Sequence, residues 1–248
     1  MMMLLLLLLA AGQEAESLFK QGVDAYTAEN YQQAAELFER AIEGDPKVSR
    51  YHHWAGKAYG RRAERVNILR AAGLAKKVRA AFERAVELDG KNLEALACLF
   101  EYYLEAPGIM GGGEEKARAA AARLAGLSAA EGHSAQASLL LKSKDYNAVE
   151  RELRQALELE PDKLSRLLDL ASFLGDRQRY TEAEVLLDRA AKLSPEAPEV
   201  LYARARLLVV SKKDAAQARR LIEQYLRSPR GPDDPPPSEA ESLLKKLP

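Results

Sequence analysis

The chain has 248 residues, enough for one or two ordinary domains or for one array of short repeats. It carries 37 basic and 37 acidic residues, so its balanced charge gives no global attraction to nucleic acid or to an anionic membrane surface. Apolar residues make up 47% of the sequence, which excludes a largely disordered chain, and the single cysteine, Cys98, excludes an intramolecular disulfide. No run of alternating apolar residues is present, so strands are not expected.

The N-terminus carries an apolar run, Met1–Ala11, which is too short to cross a bilayer because a spanning helix needs about 20 residues. Its length is typical of a secretory signal, and the small residues of Ala10–Gly12 predict cleavage before Gln13. No Lys or Arg precedes the run, so two interpretations stay open. Either residues 1–12 are a signal peptide and the protein is periplasmic or secreted, or the run is an apolar helix that docks on the following structure in the cytoplasm.

A short amphipathic segment over residues 31–46 defines the unit from which the chain is built. Ala34, Phe38 and Ala41 recur at helical spacing and share one face, with charged residues between them, and Gly-Asp-Pro then ends the helix. Such a helix cannot bury its apolar face without a neighbour. Similar segments recur later in the chain: AFERAVELDG from Ala81, LRQALELEP from Leu153 and LLDRAAKLSP from Leu186.

Each of these segments follows another helix that has its own small residue: Gly22, Gly56, Ala137 or Ala171. This arrangement resembles the tetratricopeptide repeat (TPR), a helix pair of about 34 residues with the pattern W-x2-L-G-x2-Y…A-x3-F…P. The resemblance implies an all-α protein, a right-handed α-solenoid of about six TPR helix pairs with a C-terminal capping helix. It covers residues 15–227, in repeats over residues 15–48, 49–92, 93–129, 130–163, 164–197 and 198–227.

The second repeat, residues 49–92, is longer than the pattern. Tyr59 and Phe82 lie 23 residues apart, whereas the equivalent Ala25 and Phe38 lie 13 apart, so about ten extra residues lengthen the first helix or widen the turn. Residues 57–79 of this repeat are also the most basic segment of the chain, with eight Lys or Arg residues and one acid. Two interpretations stay open: a basic lip that contacts an acidic peptide or another anion, or a solvated helical face.

The third repeat contains a glycine-rich turn, PGIMGGG, over residues 107–113. A phosphate cradle is not expected there because no strand precedes the glycines and two acids, Glu114 and Glu115, follow them. The segment is instead predicted to be a long helix–helix turn. The long basic second repeat followed by the turn YYLEAPG…GGG is a combination similar to that of exported bacterial TPR proteins. This resemblance implies export and does not indicate a biochemical role.

After the sixth repeat, residues 228–248 contain a proline cluster that is incompatible with a helix. Ser238 and Glu241 follow with the spacing of a helix-capping box. We therefore expect a stiff connector and then a short helix that folds back onto the last repeat, since the outer face of a terminal repeat otherwise lacks a neighbour.

No catalytic or metal-binding motif is recognisable, so we expect a protein that is not an enzyme and has no cofactor or metal. Adjacent His52 and His53 point about 100° apart on a helix and rarely share a metal ion. The TPR resemblance implies a concave groove lined by the first helix of each pair. Counting along the pattern places eight candidate peptide-binding residues in it: Tyr26, Arg50, His53, Lys57, Arg61, Glu101, Tyr202 and Arg206.

Two functions are compatible with these features. The first is an exported scaffold that binds a peptide or a partner subunit in the groove, where Lys57 and Arg61 lie one helical turn apart and supply cations. The second is an accessory protein that contacts an anionic envelope component, a lipid headgroup or a glycan, through the basic residues 57–79. Neither function involves nucleic acid or an integral membrane span, and neither fixes the identity of the partner or the oligomeric state.

Overall fold

A computed structural model describes the backbone of residues 2–248 and their side chains, except those of residues 2–11 and Leu69. Within this range the chain forms thirteen α-helices, one short 3-10 helix and no strand. The helices divide into two compact units, Met1–Ser128 (unit 1) and Ala129–Pro248 (unit 2). The expected signal peptide, residues 1–12, falls largely outside the described side chains and stays a prediction.

Unit 1 consists of helix pairs in which consecutive helices pack side by side. Its helices are α1 (Met2–Thr27), α2 (Tyr31–Gly44), α3 (Ser49–Ala63), α4 (Ile68–Leu88), α5 (Leu93–Glu105) and α6 (Glu114–Leu127). The first helices of the pairs also touch one another, since α3 contacts both α1 and α5. Asparagine side chains cap three of these helices by accepting hydrogen bonds from backbone N–H groups of the first turn: Asn30, Asn67 and Asn92.

Close contact between the two helices of a pair depends on a glycine opposite a phenylalanine. A Cβ atom on Gly22 would lie 2.5 Å from the Phe38 ring, and a Cβ atom on Gly56 would lie 2.5 Å from the Phe82 ring. Both phenylalanine side chains are buried. The small residue of the repeat pattern is therefore required because an aromatic ring packs directly on the backbone of the facing helix.

Most of the extra residues of the second repeat form additional turns of α4. Phe38 lies seven residues after the start of α2, whereas Phe82 lies fourteen residues after the start of α4. Helix α4 thus begins two turns early, which adds about 10 Å of helix. The expectation that these residues lengthen the first helix or widen the turn is wrong for the seven residues that α4 gains, whereas α3 gains two residues and the turn gains one. Asn67 caps α4, and its side chain accepts a hydrogen bond from the N–H of Arg70 at 3.1 Å.

The glycine-rich segment is a helix–helix turn, as predicted. A 3-10 helix, Gly108–Met110, follows α5, and the Tyr102 hydroxyl donates a hydrogen bond of 2.8 Å to the carbonyl of Met110. Gly111 has a φ of +88°, a left-handed conformation that favours glycine. A Cβ atom on Gly112 would lie 1.9 Å from the carbonyl oxygen of Ala106, so the backbone of the turn folds tightly onto the end of α5.

Unit 2 continues the same pairing of consecutive helices and ends with one additional helix. Its helices are α7 (Ala129–Lys142), α8 (Tyr146–Leu159), α9 (Leu164–Asp176), α10 (Tyr180–Leu193), α11 (Pro198–Ser211), α12 (Ala215–Arg227) and α13 (Pro237–Leu244). Helix α13 packs on α11 and α12, where Ala240 and Leu243 join a buried cluster with Ile222 and Tyr225. The all-α TPR fold with a C-terminal capping helix is therefore confirmed.

Arg166 is a buried charge that links three segments of unit 2. Its guanidinium donates hydrogen bonds to Glu131 and Ser134 of α7, at 2.6 and 2.8 Å, and to Glu160 at 2.8 Å. The side chain is 5% exposed. A buried guanidinium is tolerated here because two carboxylates neutralise its charge. All three of its nitrogen atoms also donate hydrogen bonds.

Candidate functional site

Four side chains from α1 and α3 meet on the first-helix face of unit 1: Tyr26, Trp54, Lys57 and Arg61. We call them the Trp54 cluster. The rings of Tyr26 and Trp54 meet edge to face, with their centroids 5.5 Å apart. The Lys57 ammonium lies 4.1 Å from the centroid of Trp54 and 5.6 Å from that of Tyr26. Residues 54, 57 and 61 fall on one side of α3 because they are separated by three and four positions.

Hydrogen bonds and ion pairing hold the second cation of the cluster in place. Arg61 hydrogen-bonds the side chain of Tyr26, and its guanidinium lies 3.2 Å from Glu64. Burial acts to lower the pKa of Arg61, but the bond to Tyr26 and the charge of Glu64 outweigh it, so the pKa is raised. Tyr26 is buried and Trp54 is half-buried. The cluster therefore offers two cations beside an aromatic surface, a combination that suits a carboxylate next to an apolar group.

Arg50 lies on α3, and its side chain already contacts residues of α1. It forms an ion pair with Glu16, and its guanidinium lies 5.1 Å from the centroid of the Phe19 ring. The Tyr51 hydroxyl also donates a hydrogen bond of 3.0 Å to Glu16. Burial and this bond raise the pKa of Tyr51. A ligand that used Arg50 would have to share it with Glu16.

His53 is a packing residue between α3 and α5. Its side chain is 3% exposed, and its Nε2 atom lies 3.4 Å from the sulfur of Cys98. The ring also lies 6.1 Å from that of Phe82, centroid to centroid. An imidazole buried in this way is not presented to a ligand on the surface. Glu101, the remaining candidate of unit 1, is exposed on α5.

The last two candidates, Tyr202 and Arg206, lie on α11 of unit 2 and line a cavity of about 200 Å³. Arg206 donates hydrogen bonds to Ser172 at 2.8 Å and to Asp176 at 2.7 Å. The Tyr202 hydroxyl donates to Glu239 of α13 at 3.4 Å. The capping helix thus contributes directly to the surroundings of this cavity.

Acidic side chains in and beside this cavity have perturbed pKa values. Desolvation by the surrounding protein raises the pKa of the Asp169 carboxyl to about 6, although the residue is exposed. Burial, together with the nearby carboxylate of Asp234, raises the pKa of Glu199. This cavity lies in unit 2 and the Trp54 cluster lies in unit 1.

Trp54 itself was not among the candidates chosen from the sequence. The repeat pattern indicates a packing role for residues at the start of α3, and it gives no information on the rotation of this ring toward Tyr26. One signal was present, however: the only tryptophan of the chain precedes Lys57 by three residues, the spacing at which helical side chains meet.

Among the residues whose side chains are described, no group of three or more His, Cys, Asp or Glu residues could hold a metal ion. Within the same described range, no helix combines the length and the apolar character needed to cross a membrane.

The helix pairing and the glycine–phenylalanine contacts define a TPR protein, whose fold is that of protein–protein interaction scaffolds. The chain belongs to the TRAP transporter T-component family, which matches residues 50–193, more than half of its length. No curated protein matches the sequence.

Solved structures are similar to the chain over most of its length. A thermophilic TPR protein from Thermus thermophilus has a TM-score of 0.60 at 22% identity, covering 79% of this chain and 98% of that one. A TPR protein from Parabacteroides merdae has a TM-score of 0.54 at 14% identity, covering 95% and 99%. The protein pilF from Pseudomonas aeruginosa has a TM-score of 0.52 at 17% identity, covering 88% and 93%. These likenesses establish the fold.

Proposed function

We propose that this protein is a non-catalytic component of a TRAP transporter that binds a partner protein of that transporter on the first-helix face of unit 1. Membership of the T-component family supports the transporter assignment, and the TPR fold supports protein binding. The observation that carries the site is the position of the Lys57 ammonium, 4.1 Å above the ring of Trp54. Arg61 supplies a second cation one helical turn away.

The chemistry of the Trp54 cluster defines the kind of partner segment that it suits. A carboxylate of the partner pairs with Lys57 and shares the guanidinium of Arg61 with Glu64. An adjacent apolar side chain packs on the exposed part of Trp54. Buried or half-buried tryptophan, tyrosine and arginine side chains are the residues that most often dominate the energy of protein interfaces. The proposed partner segment is therefore acidic and carries at least one large apolar residue.

We further propose that the protein acts on the periplasmic side of the membrane after export. The apolar run Met1–Ala11 and the transporter family support this location. Cell fractionation followed by N-terminal sequencing tests it directly. Recovery of a periplasmic protein that begins at Gln13 supports export, whereas a cytoplasmic protein that retains residues 1–12 contradicts it.

Affinity capture tests the binding function. The chain beginning at Gln13, with a C-terminal tag, is used to capture proteins from a solubilised cell envelope, and the expected result is recovery of other TRAP transporter subunits. The variant K57E/R61E should no longer capture these subunits, because the charges of both cationic residues are reversed. R151E/R220E changes two exposed arginines of unit 2 and should retain them. Equal recovery by wild type and K57E/R61E would contradict the proposed site.

A further inference from the structure

A pocket of about 660 Å³ opens in unit 1 beside the early turns of α4. One wall is the α1–α2 turn and the start of α2, residues 29–32, and the other is formed by residues 62–77. We call it the α4 pocket. It exists because α4 begins two turns early, since the additional turns face the α1–α2 turn across the opening. Its volume lies in the range of cavities that hold small organic ligands, about 300–1,000 Å³.

The floor of the α4 pocket is apolar and rigidly held. Tyr31 is 5% exposed, and the Arg65 guanidinium stacks over its ring at 4.5 Å from the centroid. Arg65 is itself fixed by a hydrogen bond of 3.1 Å to the carbonyl of Glu29 and by an ion pair with the carboxylate of Glu29. Val66 and Leu74 complete the apolar part of the lining. A hydrocarbon or aromatic group placed on this surface would be removed from water.

The rim of the α4 pocket is strongly cationic. Among the described lining residues Glu29 is the one carboxylate, and four side chains are basic: Arg62, Arg65, Arg70 and Lys77. Two of the four are already paired, since Arg65 binds Glu29 and Lys77 lies 2.8 Å from Glu39. Within the described part of the chain, no carboxylate forms an ion pair with Arg62 or Arg70. Arg62 interacts electrostatically with Glu39 without forming an ion pair, so both guanidinium groups can still meet an external anion.

We propose that the α4 pocket binds an amphipathic organic anion, in which a phosphate or carboxylate group is joined to an alkyl or aromatic body. The acid group pairs with Arg62 and Arg70, and the body lies on Val66 and Leu74. A free organic acid and the headgroup of an anionic lipid share this chemistry. The site differs from the Trp54 cluster and does not depend on the proposed partner binding.

Calorimetric titration with octyl phosphate below its micellar concentration tests the α4 pocket. The expected result is one binding site per chain, with an affinity that falls as salt is added, because the contact is charge-assisted. Octyl glucoside lacks the anion and inorganic phosphate lacks the alkyl body, so both should bind at least about tenfold more weakly. Equal binding of octyl phosphate and inorganic phosphate would overturn the apolar part of the proposal.

Matched variants locate the binding. R62Q/R70Q should weaken the binding of octyl phosphate by about tenfold or more, because it removes two charge-assisted contacts. R151Q/R220Q loses the same charge from exposed positions of unit 2 and should bind as the wild type does. Circular dichroism confirms that both variants are folded. Absence of binding by the wild type, or equal binding by all three proteins, would overturn the proposal.

Sedimentation with phosphatidylglycerol vesicles then separates the two sources of the anion. If the wild type sediments with the vesicles and R62Q/R70Q does not, the site is supported and the anion is a lipid headgroup. Binding of octyl phosphate without co-sedimentation supports the site and identifies a free anion. Co-sedimentation that R62Q/R70Q leaves unchanged would show that another surface contacts the membrane, and would overturn the lipid form of the proposal.

Discussion

The Lys57 ammonium lies 4.1 Å from the centroid of the Trp54 ring, and both residues lie on α3. The cation lies over the ring, and the ring in turn contacts Tyr26 of α1. Such a contact contributes about 0.5–1 kcal/mol at an exposed site. It also holds the ammonium in one place, so that an arriving carboxylate meets an oriented charge rather than a mobile side chain.

Replacement of Trp54 tests the aromatic part of this site. We expect Trp54→Ala to weaken binding of the transporter partner by about 30-fold, equivalent to about 2 kcal/mol, as for a central aromatic interface residue. Trp54→Phe keeps a ring beneath Lys57 and should retain most of the affinity. Surface plasmon resonance with the captured partner measures both values, and equal affinities for Trp54→Ala and the wild type would count against the site.

The contact between Gly56 and Phe82 gives a stability prediction with a control in the same helix. Gly56→Ala forces a Cβ atom to within 2.5 Å of the Phe82 ring, so we expect a loss of about 1–3 kcal/mol from overpacking. Gly60→Ala meets no atom within 4 Å and should stabilise α3 by up to about 1 kcal/mol. Denaturant unfolding monitors both. Similar changes in the two variants would mean that Phe82 does not pack on the backbone of α3.

Arg166 gives a second stability prediction. Arg166→Met removes the buried guanidinium that Glu131 and Glu160 share and leaves them paired with Lys163, so we expect a loss of about 2 kcal/mol in the free energy of unfolding. Arg154→Met removes an exposed arginine that pairs with Glu150, and should cost less than about 1 kcal/mol. Thermal unfolding compares the two variants, and a similar small effect of both would contradict the burial of Arg166.

Asp169 predicts how stability changes with pH. Its pKa is raised to about 6 in the folded protein from an ordinary value of 3.8, so the folded state binds protons more tightly than the unfolded state. The contribution of Asp169 to stability is therefore most favourable below about pH 4 and is lost as the pH rises through about 6. Because Asp169 is an exposed residue, solvent screens the carboxylate and the effect on stability is smaller than for a buried group.

Asp169→Asn tests this assignment, because asparagine cannot ionise. We expect the melting temperature of the variant to rise relative to that of the wild type between pH 4 and pH 7.5. Asp162→Asn, on an exposed turn of unit 2, should show no such trend. A difference between Asp169→Asn and the wild type that does not change with pH would show that Asp169 titrates normally.

The repeat fold was predictable from the sequence because it depends on local spacing. Gly22 and Phe38 lie at positions of the TPR pattern, and their contact follows from the pattern alone. The position of the ten extra residues of the second repeat did not follow. Nothing in the segment between Asn67 and Gly90 stops a helix, so α4 continues through it, but the apolar spacing alone does not show which of the two helices will lengthen.

The candidate site was only partly accessible from the sequence. Lys57 and Arg61 were selected by their spacing on α3, and the structure places both beside Tyr26. His53 was selected by the same count, yet it is buried against Cys98, because a rotation of one position changes which neighbour a helical side chain meets. Trp54 was missed because its role depends on how α1 packs against α3.

The single tryptophan of the chain allows the most direct test of the proposed function. Protein labelled with 5-fluorotryptophan gives one fluorine NMR resonance, which reports on Trp54 alone even in the presence of an unlabelled partner. We predict that the captured TRAP transporter subunit shifts this resonance in the wild type and leaves it unchanged in K57E/R61E. Formation of the complex without any shift of the Trp54 resonance would contradict the assignment of this face as the binding site.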